Sequence, residues 1–511
     1  MQRKAKAKTI MIQGSASHVG KSALATALCR IFAQDGYRVA PFKSWNMALN
    51  SYVTCDGGEI GRAQGEQAEA AGIEATVDMN PILVKPKGQG QAQIIVRGRP
   101  HGDVSYAARS QEDYIRFSLQ VIARSLDTLR DEYDIIVLEG AGSPAEINLA
   151  DQDVANMKAA KLAEAPVLLV NDIDRGGALA AAVGTMLLLP QEDQQRIAGF
   201  IFNKFRGDKA VLEPGLKVVE ERTGRPVLGV VPHIQTNLAE EDGVALERSA
   251  YCGESQGKLQ ICVVRLPHIS NFTDFDALAA EEDVELIYVD EPEKLSGADA
   301  VILPGTKNSM RDLQFLRQHG LDSAILAACE QKIPVVGICG GYQMLGEKLW
   351  DPHGGESGSG AAEATGLGLL AVTTRFYPEK KVVRAEGESR LSFALGEKVS
   401  GYEIHMGQSE REPGCSAAFT LSGEGGNDGA VSACGRIWGT YLHGVFDRPG
   451  FRRAWLNRLR QSRGWQELGT EALDHRESSF DKLAAEVRRA LDMDAIYQLL
   501  ELPGKKKEDL S

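Results

Sequence analysis

Ile333-Pro-Val-Val-Gly-Ile-Cys-Gly-Gly-Tyr-Gln343 is the stretch of this chain from which the fold can be read most directly. Its short apolar run predicts a buried strand, and the Gly-x-Cys-x-Gly pattern predicts a sharp turn at the end of that strand, with a helix beginning near Tyr342. A cysteine in free form is most often packed as a small hydrophobe. A turn of this kind, however, presents Cys339 at a helix N-terminus, which is a common position for reactive cysteines. We therefore interpret Cys339 as a nucleophile carried by an α/β sheet.

The length and composition are typical of a large globular protein. The 511 residues exceed what one hydrophobic core usually organises, so more than one domain is expected. No apolar run has transmembrane length, and we expect a cytoplasmic protein that does not bind a membrane. Eight cysteines without zinc or disulfide spacing are expected to be reduced thiols. The formal net charge of −13 argues against nonspecific nucleic-acid binding, and the sequence leaves homo-oligomer formation open.

Two series of short β-branched runs alternate with amphipathic or Ala-rich segments, which predicts two α/β domains with largely parallel sheets. The predicted strands are Thr9–Gln13, Arg38–Phe42, Tyr133–Glu139, Ala165–Asn171, Ala198–Asn203 and Pro226–Val231 in the first series, and Leu259–Leu266, Glu285–Val289, Ala300–Leu303 and Pro334–Ile338 in the second. The predicted boundaries are 1–234 for the first domain, 235–257 for a polar linker, 258–450 for the second domain and 451–511 for a charged helical tail.

Directly after the first predicted strand comes Gly14-Ser-Ala-Ser-His-Val-Gly-Lys-Ser22. It is a phosphate-binding loop whose first glycine stands one residue earlier than usual, while Gly20, Lys21 and Ser22 keep the standard pattern. Backbone N–H groups at such a loop can hold phosphates, the lysine can neutralise them, and the serine hydroxyl can bind Mg²⁺. We therefore predict an ATP site here.

Polar residues at the ends of other strands could complete that site. Glu139 ends an apolar strand, where a carboxylate can hold Mg²⁺ or its water, and Asp56 in Thr54-Cys-Asp-Gly-Gly58 is a second candidate ligand. Lys43, just after the second strand, could bridge a phosphate and a substrate carboxylate. A solvated position at a strand end is the alternative for each of these residues.

The displaced loop, Lys43, Glu139-Gly-Ala-Gly142 and Asn203-Lys204 resemble the dethiobiotin synthetase group of P-loop enzymes. The resemblance implies a parallel-sheet domain that activates a substrate carboxylate with the γ-phosphate of ATP, and an asparagine at position 203 that contacts the base. The signature lysine of the related ParA/MinD ATPases would fall at Ala16, so its absence argues against a partition ATPase.

A second motif, Gly439-Thr-Tyr-Leu-His-Gly-Val-Phe-Asp447, follows Cys339 by about a hundred residues. Together with the cysteine turn it resembles the class I glutamine amidotransferases. The resemblance implies that Cys339 attacks the side-chain amide of glutamine, that His443 moves the proton and that a thioester forms. The N–H groups of Gly340 and of Gly305, in the loop 304–307, would then stabilise the oxyanion.

The residue that orients His443 is left open by the sequence. Class I amidotransferases usually carry a glutamate two residues after the histidine, and this position is Val445. Asp447 or Glu403 could orient the imidazole, or the site could work as a Cys–His dyad.

A carboxylate-activating domain followed by a glutaminase domain is the arrangement of the CobB/CobQ family of glutamine amidotransferases, which the chain resembles over roughly residues 9–450. The strings that carry this resemblance are Ser44–Ser51, Asp56–Gln64, Asn80–Pro86, Asn171–Gly177, Phe202–Asp208 and Gly401–Gly407. They are most similar to the branch that amidates the b, d, e and g carboxylates of adenosylcobyrinic acid a,c-diamide in cobalamin biosynthesis. The resemblance implies corrinoid, glutamine and ATP as substrates and Mg²⁺ as the metal.

Two other functions remain compatible with these motifs. The first is an amidoligase for another carboxylate, such as the a and c positions of cobyrinic acid or a cell-wall precursor. The second, of a different class, is a regulatory ATPase whose glutaminase-like domain only mediates interactions. The presence of both Cys339 and His443 argues against the second function.

Overall fold

The structure is a computed structural model that describes residues 6–88, 91–105, 112–234, 257–356, 360–423, 426–470 and 475–503. It contains two six-stranded sheets with helices on their faces, a third six-stranded sheet that is mainly antiparallel, and two smaller sheets. All ten predicted strands are present, with ends that differ by at most two residues from the prediction. The predicted linker falls almost entirely on residues 235–256, which lie outside the described residues.

The first large sheet is entirely parallel. Its strands, in spatial order, are Val227–Pro232, Ile197–Phe205, Val167–Asp172, Lys8–Gly14, Ile135–Glu139 and Val39–Phe42. The central strands are buried along their whole length, because helices cover both faces of the sheet. The chain crosses between sequence-distant strands at the carboxyl end of Lys8–Gly14, which is where open α/β sheets bind ligands.

The helices of this first part are Lys21–Gln34, Arg62–Ala70, Glu112–Glu132, Met157–Ala163, Ala178–Leu188, Gln191–Arg196 and Lys209–Thr223. The strand prediction missed two small sheets, whose strands lie on either side of the helix Arg62–Ala70 in the chain. One is formed by Trp45–Met47, Ile82–Gly88, Gln91–Val96 and Arg99–Ser105, and the other by the hairpin Ser51–Val53 and Glu59–Gly61.

The second large sheet has five parallel strands and one antiparallel edge strand. Its spatial order is Val284–Val289, Leu259–Val264, Ala300–Leu303, Val335–Ile338, Ile437–Thr440 and Ala430–Val431. A mainly antiparallel sheet adjoins it, formed by Ala362–Thr365, Lys348–Asp351, Val372–Ser389, Lys398–Arg411, Phe419–Leu421 and Gly426–Asp428. The helices here are Asp276–Ala279, Ser309–Gln318, Leu321–Glu330 and Gly340–Leu345.

The predicted tail over 451–511 is not one unit in the structure. The helix Pro449–Ser462 packs into the core of the second domain through Trp455 and its neighbours. The helices His475–Ala490 and Met493–Leu499 instead pack against the first sheet and the helix Lys21–Gln34. The end of the chain therefore helps to build the core behind the phosphate loop. Within the described ranges, no helix is long and apolar enough to cross a membrane.

Candidate active sites

The phosphate loop leaves the first sheet at the end of the strand Lys8–Gly14. A Cβ atom at Gly14 would lie 2.6 Å from Val19 Cγ2, so the displaced glycine permits the close return of the loop. Gly20 has a φ of 98°, in the left-handed region that glycine adopts without strain. The unusual spacing of the motif therefore produces a compact loop at the N-terminus of the following helix.

Two side chains hold this loop in place. The ammonium group of Lys21 donates to the carbonyl oxygens of Ala16 at 3.3 Å and Gly142 at 3.2 Å. The amide nitrogen of Asn203 donates to the carbonyl oxygen of Val19 at 2.9 Å. Asn203 thus contacts the phosphate loop itself, while the contact with the base that the resemblance implies remains a prediction.

The carboxylate of Glu139 is the centre of the predicted ATP site. Its Oε1 accepts hydrogen bonds from Ser22 Oγ at 2.8 Å and Lys43 Nζ at 2.9 Å, and its Oε2 accepts one from Gln67 Nε2 at 2.7 Å. Burial opposes ionisation of Glu139, but Lys43, Gln67 and Ser22 outweigh it and lower the pKa of the carboxyl below its ordinary value. Lys43 is buried and paired here, so it is not the solvated lysine that strand ends often carry.

The three predicted Mg²⁺ ligands are not all together. Ser22 and Glu139 share a hydrogen bond, and their hydroxyl and carboxylate oxygens are the kind of donor that Mg²⁺ prefers. Asp56 is exposed in the turn 54–58, where its carboxylate accepts a hydrogen bond from Thr54 Oγ1. The residues present fit a metal held by Ser22 and Glu139, and the structure gives no support to Asp56.

The cysteine turn of the second domain has the geometry of a nucleophile elbow. The strand Val335–Ile338 ends at Cys339, and the helix Gly340–Leu345 begins immediately after it, two residues earlier than predicted. Cys339 has a φ of 49° and a ψ of −106°, a conformation that residues other than glycine rarely adopt. Its N–H donates to the carbonyl oxygen of Thr440 at 2.8 Å, which ties the turn to the strand before His443.

His443 is oriented by a residue that the sequence prediction missed. Its Nδ1 lies 2.7 Å from Oδ2 of Asp274, whose Oδ1 accepts the N–H of Gly444 at 3.0 Å. The sequence left open Asp447, Glu403 or a Cys–His dyad, and the structure shows a fourth arrangement in which Asp274 orients the ring. The carboxylate of Glu403 pairs with other side chains of its own sheet.

Asp274 lies in the short 3₁₀ helix Phe272–Phe275, within the connection that follows the strand Leu259–Val264 of the second sheet. The carboxyl end of a strand in an open α/β sheet is where ligands and functional side chains gather. That position was the one signal in the sequence that could have singled out Asp274.

The two nitrogens of His443 face neighbours that favour different protonation states. Burial disfavours the charged imidazole, but Asp274 and Cys339 outweigh it and raise the pKa of His443 to about 10. The second ring nitrogen, Nε2, lies 3.2 Å from Nδ2 of Asn271, whose Oδ1 accepts the N–H of Ser51 at 2.9 Å. Since this amide oxygen is already used, its nitrogen faces the ring as a donor, and Nε2 can accept that hydrogen bond only in the neutral form.

The predicted oxyanion residues lie next to this pair. Gly305 accepts the N–H of Ser270 at 2.9 Å, and a Cβ atom on Gly305 would lie 2.9 Å from His443 Cε1. A Cβ atom on Gly340 would lie 3.1 Å from the backbone nitrogen of Thr306. The loop 304–307 therefore lies against both the elbow and the histidine, while the role of Gly340 and Gly305 in an oxyanion hole remains a prediction.

A buried ionic cluster lies between the two domains, close to Cys339. Glu59 of the first domain pairs with Lys85 and with Lys380 of the second, and its Oε1 accepts a hydrogen bond from Ser51 Oγ at 2.7 Å. Burial opposes ionisation of Glu59, but Lys380, Lys85 and Lys307 hold the pKa of its carboxyl well below its usual range. The same burial lowers the pKa of Lys380 to about 8 and that of Lys307 to about 7. The contact between the domains is therefore specific and charged.

Comparisons with known proteins match both domains. The CobQ/CobB/MinD/ParA nucleotide binding domain matches residues 10–244, and the CobB/CobQ-like glutamine amidotransferase domain matches residues 260–451. The cobyric acid synthase of Desulforamulus reducens is 49% identical over 508 residues, which cover 97% of this chain and 98% of that protein. The cobyric acid synthase of Pelotomaculum thermopropionicum is 50% identical over 521 residues, which cover 98% of each.

The chain belongs to the cobyric acid synthase family. As a member of this family it is a glutamine-dependent amidoligase of cobalamin biosynthesis with a P-loop nucleotide-binding domain that uses ATP. The fold prediction, an α/β P-loop domain followed by an α/β amidotransferase domain, is confirmed. Among solved structures, PurLQS from Thermotoga maritima is similar over 40% of this chain and 99% of that chain, at 20% identity and a TM-score of 0.32, which is too low to add an argument.

Proposed function

We propose that this cobyric acid synthase family member amidates the b, d, e and g carboxylates of adenosylcobyrinic acid a,c-diamide, one ATP and one glutamine being used for each amide. A carboxylate is a poor acyl donor until its oxygen is phosphorylated, and the acyl phosphate must then meet ammonia before it meets water. Separate sites for phosphorylation and for ammonia release, in domains that contact each other, suit this chemistry.

In the second domain, the sulfur of Cys339 attacks the side-chain carbonyl carbon of glutamine. His443 takes the thiol proton through Nε2 and delivers it to the departing ammonia, while Asp274 keeps the proton of Nδ1 in place and stabilises the imidazolium. The N–H groups of Gly340 and Gly305 stabilise the oxyanion. Water then hydrolyses the thioester to glutamate and restores the thiol. The contact between His443 and Asp274 carries this assignment, because it fixes the tautomer that the proton transfer requires.

In the first domain, the loop between Gly14 and Gly20 holds the phosphates of ATP, and Lys21 stabilises the charge that develops on the γ-phosphate. Ser22 and Glu139 would hold Mg²⁺, which supplies charge neutralisation to the phosphates when it is bound. Lys43, which now pairs with Glu139, can turn to the substrate carboxylate and bring it against the γ-phosphate.

The deciding experiment is mass spectrometry of adenosylcobyrinic acid a,c-diamide incubated with the protein, Mg-ATP and either glutamine or ammonium. Four successive conversions of carboxylate to amide are expected with both nitrogen donors. No conversion, with ATP hydrolysed in the presence of another carboxylate, would contradict the substrate and leave the reaction class in place.

Two variants separate the proposed sites. Cys339→Ala is expected to lose the glutamine-dependent reaction and to retain the ammonium-dependent one, because ammonia supplied from solution bypasses the thioester. Lys21→Ala is expected to lose both reactions, because neither can proceed without the acyl phosphate. Equal loss of both reactions in Cys339→Ala would contradict the assignment of two sites.

A further inference from the structure

The loop 270–275 joins the glutaminase histidine to the first domain. On one side, Asp274 and Asn271 contact the two ring nitrogens of His443, at 2.7 Å from Nδ1 and 3.2 Å from Nε2. Both side chains are buried. The same short loop therefore fixes both ends of the imidazole.

On its other side the loop forms two hydrogen bonds with the first domain, one donated by each partner. The N–H of Ser51 donates to Asn271 Oδ1 at 2.9 Å, and the N–H of Phe272 donates to Asn50 Oδ1 at 3.1 Å. Asn271 has a φ of 53°, in the left-handed region. The hydrogen bond from Ser51 sets the orientation of the Asn271 amide group, because it holds the amide oxygen and so leaves the NH₂ group facing the ring.

The contact of Asn271 with His443 competes with catalysis. When Nδ1 carries its proton toward Asp274, the neutral ring has a single lone pair, on Nε2. That lone pair must accept the thiol proton of Cys339, and it now faces the N–H of Asn271. Once the ring is protonated, Nε2 has no lone pair left for the amide. The hydrogen bond and the proton transfer therefore exclude each other.

The segment that holds Asn271 leads directly to the ATP site. Ser51 lies eight residues after Lys43, which pairs with Glu139, so at most about 28 Å of extended chain separates them. Ser51 Oγ also donates to Glu59 at 2.7 Å, and eight residues beyond Glu59 the side chain of Gln67 donates to Glu139. Two short segments thus connect the carboxylate at the ATP site with the loop beside His443.

We propose that Asn271 is a positioning residue that restrains His443 until substrates bind in the first domain and shift the segment Asn50–Ser51. Release of the amide frees Nε2 for the thiol proton, so glutamine is hydrolysed when an acyl phosphate is ready to receive the ammonia. This inference rests on the proposed roles of Cys339 and His443.

The test is the rate of glutamate release from glutamine, with and without Mg-ATP and adenosylcobyrinic acid a,c-diamide. Asn271→Gly removes the amide and keeps the left-handed backbone conformation free of strain. It is expected to raise the rate without the other substrates about fivefold, the weight of one ordinary hydrogen bond, and to reduce the stimulation by those substrates in proportion. Asn50→Ala, which does not touch the histidine in the contacts described above, should change the rate in the same direction.

Arg488→Gln is the control for a general loss of stability. Arg488, on the tail helix His475–Ala490, donates to the carboxylate of Asp35 at 2.9 Å and to the carbonyl oxygen of Ile31 at 3.1 Å. These contacts hold the tail helix on the helix Lys21–Gln34 and do not involve the loop 270–275 or the segment Asn50–Ser51, so the variant should leave the stimulation ratio of the wild type unchanged.

A lower rate in Asn271→Gly, with ammonium-dependent amidation intact, would overturn the proposal, because Asn271 would then only support the histidine. An unchanged stimulation ratio in Asn271→Gly and Asn50→Ala would overturn it as well. Continued glutamine hydrolysis by Cys339→Ala would instead contradict the proposed function, so the two failures can be told apart.

Discussion

The exchange Asp274→Asn tests the catalytic assignment most sharply, because it keeps the shape of the side chain and changes one hydrogen-bonding group. In the native structure Oδ1 of Asp274 accepts the fixed N–H of Gly444 and Oδ2 faces Nδ1 of His443. An asparagine will keep its oxygen toward Gly444, since an NH₂ group there would meet another donor. The NH₂ group then faces Nδ1 and forces the ring into the tautomer that cannot accept the proton of Cys339.

The size of the effect follows from two contributions. The pKa of His443 is raised from 6.5 to about 10 although burial lowers it, and each pKa unit corresponds to about 1.4 kcal/mol, so the net stabilisation of the imidazolium is about 5 kcal/mol. If Asp274 supplies half of this, its loss slows glutamine use roughly 10²-fold. The wrong tautomer adds to the loss, and a similar exchange in a catalytic triad can reach about 10⁴-fold.

The assay is the rate of amidation with glutamine and with ammonium for the wild type, Asp274→Asn and Asp274→Ala. Glutamine-dependent activity should fall between about 10² and 10⁴-fold in Asp274→Asn, with ammonium-dependent activity kept. Asp274→Ala should lose less than Asp274→Asn, because alanine removes the carboxylate without imposing the wrong tautomer. A wild-type rate with glutamine in Asp274→Asn, or equal rates in the two variants, would refute this reasoning.

Two further predictions concern stability. Glu59→Gln should lower the free energy of unfolding at pH 7 by roughly 3 kcal/mol, since it leaves Lys85 and Lys380 buried without their carboxylate. The pKa of Glu59 is depressed in the folded state, so the stabilisation from its carboxylate is present above the unfolded pKa of about 4.5 and is lost as the pH falls through the lower, folded pKa. Urea titrations should therefore show that the difference in unfolding free energy between wild type and Glu59→Gln shrinks in acid. A difference that stays constant with pH would contradict the ionic explanation. Leu483→Ala should destabilise the first domain by about 3 kcal/mol, because Leu483 packs behind the phosphate loop. The measurement is thermal unfolding in the presence of ATP, with Lys482→Ala, at an exposed position, as the control. Equal unfolding midpoints for the two variants would contradict the packing of the tail helix.

The two large sheets, the phosphate loop and the roles of Cys339 and His443 could be predicted from local sequence patterns. Each of these features is encoded within a short window, because a buried parallel strand needs only a continuous apolar run and a phosphate loop or an elbow needs glycines at fixed spacing. The strand Val335–Ile338 and the turn after it are an example, since the residues that form them are only a few positions apart in the sequence.

The pairing of polar groups that are distant in the chain is set by the packing of the fold. Asp274 lies 169 residues before His443, and Asn271 lies 220 residues after Ser51, so no local pattern joins them. The acidic residues nearest to His443 in sequence, Asp447 among them, were reasonable candidates by position alone. The choice of Asp274 depends on the order of strands in the second sheet, which brings the loop after Leu259–Val264 beside the histidine. The docking of the tail helix His475–Ala490 also depends on the packing of the fold. The sequence predicts its apolar face, but the surface that this face covers is set by the packing of the first domain, because the hydrophobic effect is not directional.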